Sequence, residues 1–380
     1  MVGNNISIIG HKCIFCRNCE KKCPKSAITF YENYQGFLYP RIDKRKCVNC
    51  SICLQYCPVN DYFQASNCIE KERYFYGNSK SENILYESSS GGIFSEIIAS
   101  LKSRYDNLYV VGAKLNKNKN EFYLEHLCLK ADMDLKVLKK SKYIQSDLND
   151  VFCEIAKLLQ NSAFVVFCGT PCQVAALTKY LKKPYENLLL IDFICHGVPS
   201  KELLNSYLAY RLRKKGVEKL SCRDIDFRNK KDGWENYDMK IGNLSFLHSN
   251  DLFFKAFLSD CCLRDSCYSC SFKDNNRYSD ITLGDLWVAN KEIFSNIENN
   301  KLGVSCVVTH TYKGGLIIET LKNQDRVNIF ETDSKILKSN PSYYHSPKYH
   351  KFYKMFYLFL NKHTLFFKLF MIRCLKKFFH

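Results

Sequence analysis

Eight cysteines near the start of the chain repeat one pattern. Cys13, Cys16, Cys19 and Cys23, followed by Pro24, and Cys47, Cys50, Cys53 and Cys57, followed by Pro58, both read C-x2-C-x2-C-x3-C-P, 34 residues apart. Three thiolates so spaced can wrap one face of an iron–sulfur cube, and in paired runs the fourth cysteine serves the other cluster. The pattern predicts two 4Fe–4S clusters. One is held by Cys13, Cys16, Cys19 and Cys57, the other by Cys47, Cys50, Cys53 and Cys23. The competing reading, a pair of zinc knuckles, is weakened because zinc sites rarely use a triple-cysteine run.

Further along, Cys262, Cys267 and Cys270 read C-x4-C-x2-C. This is the spacing of the first three ligands in plant-type iron–sulfur loops, whose fourth ligand lies elsewhere. A third 4Fe–4S cluster is expected, with Cys172 or Cys195 as fourth ligand and Cys261 an outsider; zinc or free thiols are the alternatives. Cys172 ends the run Gly169-Thr170-Pro171-Cys172 at the start of an expected helix, a position that lowers a thiol pKa. Ser88-Ser89-Ser90-Gly91-Gly92 precedes an amphipathic run and reads either as an anion pocket for a flavin pyrophosphate or as an ordinary helix cap. Asp285 in Gly284-Asp285-Leu286-Trp287 can present a carboxylate and an indole to a bound ring, or end a hairpin with a core tryptophan. His196 is the candidate catalytic proton donor to a reduced product, against the alternative of an ordinary hydrogen-bonded loop histidine.

These residues need elements to hold them. Around the first motifs, Ile28–Tyr31 and Gly36–Pro40 read as short strands about a turn. Tyr109–Ala113 and Glu121–Leu129 read as strands, and 147–160 has helical spacing. Phe164–Cys168 and Leu188–Ile194 are apolar strands, each leading through a special loop into a helix. Alternation of buried strands with helices predicts a parallel sheet, with ligands at the carboxyl ends of its strands. The expected fold is an α+β ferredoxin-like iron–sulfur module followed by a larger α/β flavin-binding domain with a mostly parallel sheet. The boundaries expected are 1–65 for the two-cluster module, 66–85 for a polar linker, 86–345 for the large domain and 346–380 for a basic aromatic tail.

The bulk numbers bound the partners. The 380 residues include 56 Lys and Arg against 38 Asp and Glu, a formal charge of +18, and 21 cysteines. A basic surface favours an acidic protein, a phosphate-bearing ligand or an anionic membrane face. No zinc finger, RNA-recognition signature or recognition helix supports nucleic acid. The start of the sequence lacks a signal-peptide pattern, so cysteine wealth points to metal and redox use in the cytoplasm. The tail carries Lys351, Lys354, Lys362, Lys368, Arg373, Lys376 and Lys377 among aromatic and leucine residues, with no acid. It reads either as a basic amphipathic helix on the inner membrane face or as a helix packed on the domain.

Several segments, in this order, together resemble the coenzyme F-420 hydrogenase/dehydrogenase beta-subunit family: Ser90-Gly91-Gly92, Ser141–Ser146, Gly169–Gln173, Cys195–Ser200, Phe227–Trp234, Cys262–Phe272 and Ser279–Trp287. The resemblance implies FAD beside a 4Fe–4S cluster, with electrons passed between iron–sulfur centres and a two-electron partner. By motif it makes Ser90, Gly91, Gly92, Lys142, Gln145, Ser146, Gly169 and Thr170 flavin-site candidates, and Cys172, Cys262, Cys267 and Cys270 cluster candidates. The function expected is an iron–sulfur flavoprotein oxidoreductase that takes electrons from ferredoxin or another acidic carrier and serves a small-molecule redox substrate. Family members also occur beside polysaccharide-assembly genes, so polysaccharide biosynthesis is one setting. The alternatives are an electron-transfer subunit that docks on a catalytic partner, and a metal-stabilised structural or regulatory protein without flavin.

Overall fold

The computed structural model describes residues 4–60, 72–119, 121–213, 220–274, 277–287 and 297–349. Most of the basic tail and residues 66–71 of the expected linker lie outside the described residues.

In the N-terminal module, α1 (Asn18–Lys21) and α2 (Ile52–Gln55) carry the third cysteine of each motif, and β1 (Ile28–Glu32) pairs antiparallel with β2 (Leu38–Ile42). The large domain contributes β3 (Arg73–Ser79), α3 (Glu82–Tyr86), α4 (Ile93–Lys102), β4 (Leu108–Asn118), β5 (Glu121–Lys130), β6 (Ser146–Asp147), α5 (Val151–Gln160), β7 (Phe164–Gly169), α6 (Pro171–Leu181), β8 (Leu188–Phe193) and α7 (Lys201–Arg213). There follow β9 (Ile225–Asn229), β10 (Asp238–Ile241), β11 (Leu244–Leu247), α8 (Leu252–Leu258), β12 (Ile281–Asp285), β13 (Ser305–Thr309), a helix Tyr312–Asn323, here α9, and β14 (Val327–Thr332).

Nine strands form one sheet in the order β14-β3-β13-β12-β8-β7-β4-β5-β6. The run β12-β8-β7-β4 is parallel, as the strand–loop–helix units require, and β5-β6 is parallel too. The other four pairings are antiparallel. The sheet is therefore mixed, which corrects the mostly parallel expectation. The linker expectation also fails over part of its length: β3 lies between β13 and β14, with Asn78 and Ser79 fully buried. Its polar composition hides a strand stabilised by neighbours distant in sequence.

Alternation along each strand sorts side chains onto two faces. Val110, Val166, Leu189, Ile281 and Val307 pack with α4 and α9, while Val111, Val165, Phe167 and Leu188 pack with α5 and α6. Both faces are covered, so the strands read as continuous apolar runs. The three-stranded antiparallel sheet β11-β10-β9 and helices α7 and α8 make a further core. That core includes Ile6, Ile28, Phe37 and Cys13 of the N-terminal module, so the module and the large domain share apolar packing.

Polar brackets fix this junction. The Arg264 side chain, 1% exposed, donates to the carbonyls of Cys13 (2.6 Å) and Leu38 (2.8 Å) and to Gln145 Oε1 (2.8 Å). Gln145 Nε2 donates onward to the Ile14 carbonyl at 3.1 Å. Arg17 grips both carboxylate oxygens of Asp147 at 2.6 and 2.7 Å, and Asn18 Nδ2 donates to the Ala176 carbonyl at 2.8 Å. A forked guanidinium–carboxylate pair sets orientation as well as attraction.

Candidate functional site

The two cysteine loops have the same backbone. Phe15 and Arg17 adopt positive φ (60° and 63°), and so do Asn49 and Ser51, each 34 residues later (51° and 61°). A left-handed residue that is not glycine costs about 1–2 kcal/mol, and four are used here to turn the chain inward around the sulfurs. Backbone N–H groups then face thiols: Phe15 N lies 3.4 Å from Cys13 Sγ, and Ala27 N lies 3.3 Å from Cys23 Sγ. The N–H groups of Asn18, Glu20 and Leu54 oppose the burial that raises the thiols of Cys16, Cys19 and Cys53. Such donors stabilise the sulfur charge that a cluster requires.

Side-chain placement brings the eight cysteines together in two sets. Cys16 sits among Cys57, Cys19 and Cys13, whose like charge adds to burial in raising its pKa. Cys23, Cys47, Cys50 and Cys53 line one cavity. Cys57 thus lies with the first three cysteines, and Cys23 lies with the second three. The second set is outermost: Cys50 is exposed, beside exposed Lys44, Arg45, Lys46 and Val48.

A third set forms in the large domain, with a different membership from that expected. Strands β7 and β8 are adjacent and parallel, with Gly169 opposite Asp192. Cys172 and Cys195 each stand three residues beyond that pair, so the two loops deliver their thiols side by side. Cys172 is raised well above a free thiol, first by burial, then by the charges of Cys270, Cys195 and Cys267. Cys267 is pushed up to about 12, again by burial first and then by Cys195 and Cys270. Cys262 is not in this group. It is fully buried in an apolar core with Phe253, Phe254 and Leu263, and its charged neighbours are Cys261 and Asp260. The third set is Cys172, Cys195, Cys267 and Cys270. Among the described residues no three Cys, His, Asp or Glu side chains stand close enough to share one metal ion. The sets follow one another: Cys16 shares an apolar cluster with Cys172 and Cys270, and Cys13 and Cys267 both lie near Tyr39.

The flavin-site candidates divide. Ser90 Oγ donates to the Val304 carbonyl at 3.0 Å, and Gly91 N donates to Ser305 Oγ at 3.0 Å. A Cβ on Gly91 would meet the Gly77 carbonyl at 2.6 Å, so this glycine is needed for packing on the sheet. Gly92 supplies the left-handed cap of α4. Gly169 packs against the Phe167 ring, Thr170 N donates to Gln173 Oε1 at 2.9 Å as part of a capping box, and Ser146 Oγ lies 2.7 Å from His126 Nδ1. With Gln145 engaged at the junction, these residues shape the scaffold. Lys142 is more suggestive: its buried amine, held by the Lys139 and Lys140 carbonyls at 2.6 and 3.2 Å, is pulled down to about 8 by burial. His196 Nε2 lies 2.7 Å from Asp260 Oδ1 and Nδ1 lies 3.3 Å from Ser342 Oγ, so the ring ties down the Cys195 loop.

Asp285 has a partner that sequence reasoning missed. Arg228, 1% exposed, donates through Nη1 to Asp285 Oδ2 at 2.6 Å. Its Nε and Nη2, and Asp285 Oδ1, have no partner at good geometry, although the Tyr143 hydroxyl interacts with the guanidinium. The guanidinium sits 4.6 Å from the Tyr237 ring and 4.9 Å from that of Trp287, which is 37% exposed and stacks on Trp234 at 5.2 Å. These guanidinium N–H groups, the Asp285 oxygen and a half-exposed indole fit a planar heterocycle whose edge carries both carbonyl and N–H groups. Its signal in the sequence was the Phe227–Trp234 segment, which pairs an arginine with a tryptophan.

Comparison with known proteins now bears on these observations. Residues 163–335 match the family described as the C terminus of the beta subunit of coenzyme F420 hydrogenase/dehydrogenase, and residues 12–60 match the 4Fe-4S dicluster domain. The ferredoxin-type protein NapF of Haemophilus influenzae is 40% identical over 47 residues, 12% of this chain and 27% of that protein. The chain therefore spans about a quarter of the length of that curated relative. A chain of the F420-reducing NiFe hydrogenase complex from Methanosarcina barkeri, studied as a xenon derivative, superposes with a TM-score of 0.47 at 16% identity, over 70% of this chain and 83% of that one.

Proposed function

We propose that this chain, which joins a 4Fe-4S dicluster domain to the C-terminal domain of the coenzyme F420 hydrogenase/dehydrogenase beta-subunit family, is an iron–sulfur flavin-dependent oxidoreductase. The observation that carries the reading is the succession of three thiol sets from exposed Cys50 inward to half-buried Cys172. When bound, clusters pass electrons singly and a flavin gathers two for a hydride-transfer substrate. The chain's own residues do the rest. Lys44, Arg45 and Lys46 offer positive charge around the outermost thiols for an acidic ferredoxin-type donor. Arg264, Gln145 and the Arg17–Asp147 pair hold the first thiol set against the third. Arg228, Asp285 and Trp287 would hold the heterocyclic edge and face of a flavin, and Lys142 would supply positive charge nearby.

No helix among the described residues is long and apolar enough to cross a membrane. Contact of the basic tail with an anionic membrane face remains part of the proposal, since that segment lies outside the described residues.

The test is anaerobic reconstitution followed by analysis for iron and flavin. Three clusters give about 12 irons per chain and two give about 8. The reading expects about 12 irons with one flavin, and reduction of that flavin by reduced ferredoxin. Iron without flavin binding would defeat the oxidoreductase reading and leave an electron-transfer module.

A further inference from the structure

A buried line of hydrogen bonds crosses the sheet beside the third thiol set, and nothing in the electron route uses it. Asp192, wholly buried on β8, accepts from Thr282 Oγ1 at 2.5 Å and from Arg277 Nη1 at 3.2 Å. Thr282 Oγ1 lies 2.8 Å from His310 Nε2, and His310 Nδ1 lies 2.9 Å from Glu72 Oε1. Glu72 Oε2 accepts from the Tyr74 hydroxyl at 2.5 Å. His310 also lines a cavity of about 200 Å³ with Arg73, Thr311 and Tyr312. At the other end, Arg277 lies between Asp192 and Cys195, whose thiol it favours in the charged form.

Counting protons along this line leaves few arrangements. The Thr282 hydroxyl has one hydrogen and two close neighbours that need one between them, with Ser279 Oγ more distant at 3.4 Å. If the hydrogen points to Asp192, His310 must carry a proton on Nε2, and its Nδ1 must also carry one to bond the Glu72 carboxylate. If it points to His310, Asp192 must itself be protonated. One extra proton is therefore held, on His310 or on Asp192, and rotation of a single hydroxyl moves it. Hydrogen bonds from His310 and Tyr74 keep Glu72 below the usual carboxylate range, against its burial, so the proton does not rest there. The other ionisable groups facing the line are Asp280, which senses His310, Tyr343 beside Glu72 and Arg277, Tyr344 near Glu72, and Cys168 near Asp192. Lys313 lies near Asp280.

We propose that Glu72, His310, Thr282 and Asp192 form a proton relay from the His310 cavity to the Cys195 loop, compensating the charge of each electron that reaches the third thiol set. The step rests on the cluster reading above. One electron, supplied by the reduced ferredoxin-type donor, would end on iron that Cys172, Cys195, Cys267 and Cys270 would hold. The Thr282 proton passes to Asp192 Oδ1, the His310 Nε2 proton passes to Thr282 Oγ1, the Thr282 hydroxyl turns to Ser279 Oγ, and water in the cavity reprotonates His310, so the reduced state holds one proton more than the oxidised state. One electron and one proton are taken up, and the only bonds exchanged are O–H and N–H.

The experiment is an anaerobic redox titration of the full-length holoprotein from pH 6 to 9, with each cluster followed by its paramagnetic resonance signal. The relay predicts that the third cluster's ratio of reduced to oxidised form falls tenfold per pH unit at fixed potential, about 59 mV for one electron, while the two N-terminal clusters stay flat. Thr282→Val should abolish that slope, and Thr282→Ser should restore it. His310→Gln should abolish it independently, should the valine variant fail to fold. A flat third-cluster titration in wild type, or a slope retained in Thr282→Val, overturns the relay. Wild-type iron of about 8 per chain rather than about 12 signals instead that the cluster reading has failed, and the relay falls with it.

Discussion

Replacing Arg264 by methionine should loosen the junction between the N-terminal module and the large domain while leaving each cysteine loop intact. The guanidinium makes three charge-assisted hydrogen bonds of 2.6–2.8 Å, to the carbonyls of Cys13 and Leu38 and to Gln145. It also lies 4.3 Å from the Tyr39 ring. Bonds to a charged donor contribute roughly 1.5–3 kcal/mol each, but water can re-enter and the contributions are not additive, so about 4 kcal/mol is the loss expected. Unfolding by urea with a slope of about 3 kcal/mol/M would then move the module's midpoint down by about 1 M. Two probes separate the halves. Both tryptophans, Trp234 and Trp287, belong to the large domain, whereas cluster absorbance is dominated by the module. The wild type should lose both signals together, because the halves share a core. Arg264→Met should lose cluster absorbance first and tryptophan emission later. Coincident transitions at the wild-type midpoint would refute the bracket.

Other expectations follow from the same geometry. His126 is held near a pKa of about 4 by burial, against 6.5 when exposed. The unfolded chain therefore binds the extra proton first, so stability is full above pH 6.5 and falls by about 2 kcal/mol between pH 7 and 5; His126→Gln should flatten that part of the urea-midpoint profile. Changing Lys44, Arg45 and Lys46 to glutamate should slow reduction by an acidic ferredoxin by tenfold or more at low salt, with the difference shrinking as salt rises. Equal rates would remove this surface from the docking proposal. Arg228→Met should reduce bound flavin measured after denaturing release, without changing iron; unchanged flavin content would displace the Arg228–Asp285 site.

The sequence made the N-terminal module legible because its ligands are local: spacing alone determines which thiols can share a loop. The strands before Gly169 and Cys195 were legible because burial on both faces leaves an unbroken apolar run. What escaped depends on contacts distant in sequence. The strand Arg73–Ser79 is polar and acquires its place only between β13 and β14. The C-x4-C-x2-C spacing grouped Cys262 with Cys267 and Cys270, whereas the fold places Cys195 beside them, because the register of β7 against β8 is a tertiary fact. Gln145 and Gly91 look like ligand-binding residues and instead brace the junction and the sheet. Arg228 could not be joined to Asp285 across 57 positions of chain without the fold.

The most direct test of this account is anaerobic iron analysis of two cysteine variants side by side. Cys195→Ser should fall to about 8 irons from about 12 while Cys262→Ser keeps the full complement, with the two N-terminal cluster signals intact in both. Loss of iron from Cys262→Ser, with none from Cys195→Ser, would contradict the third thiol set and the path drawn through it.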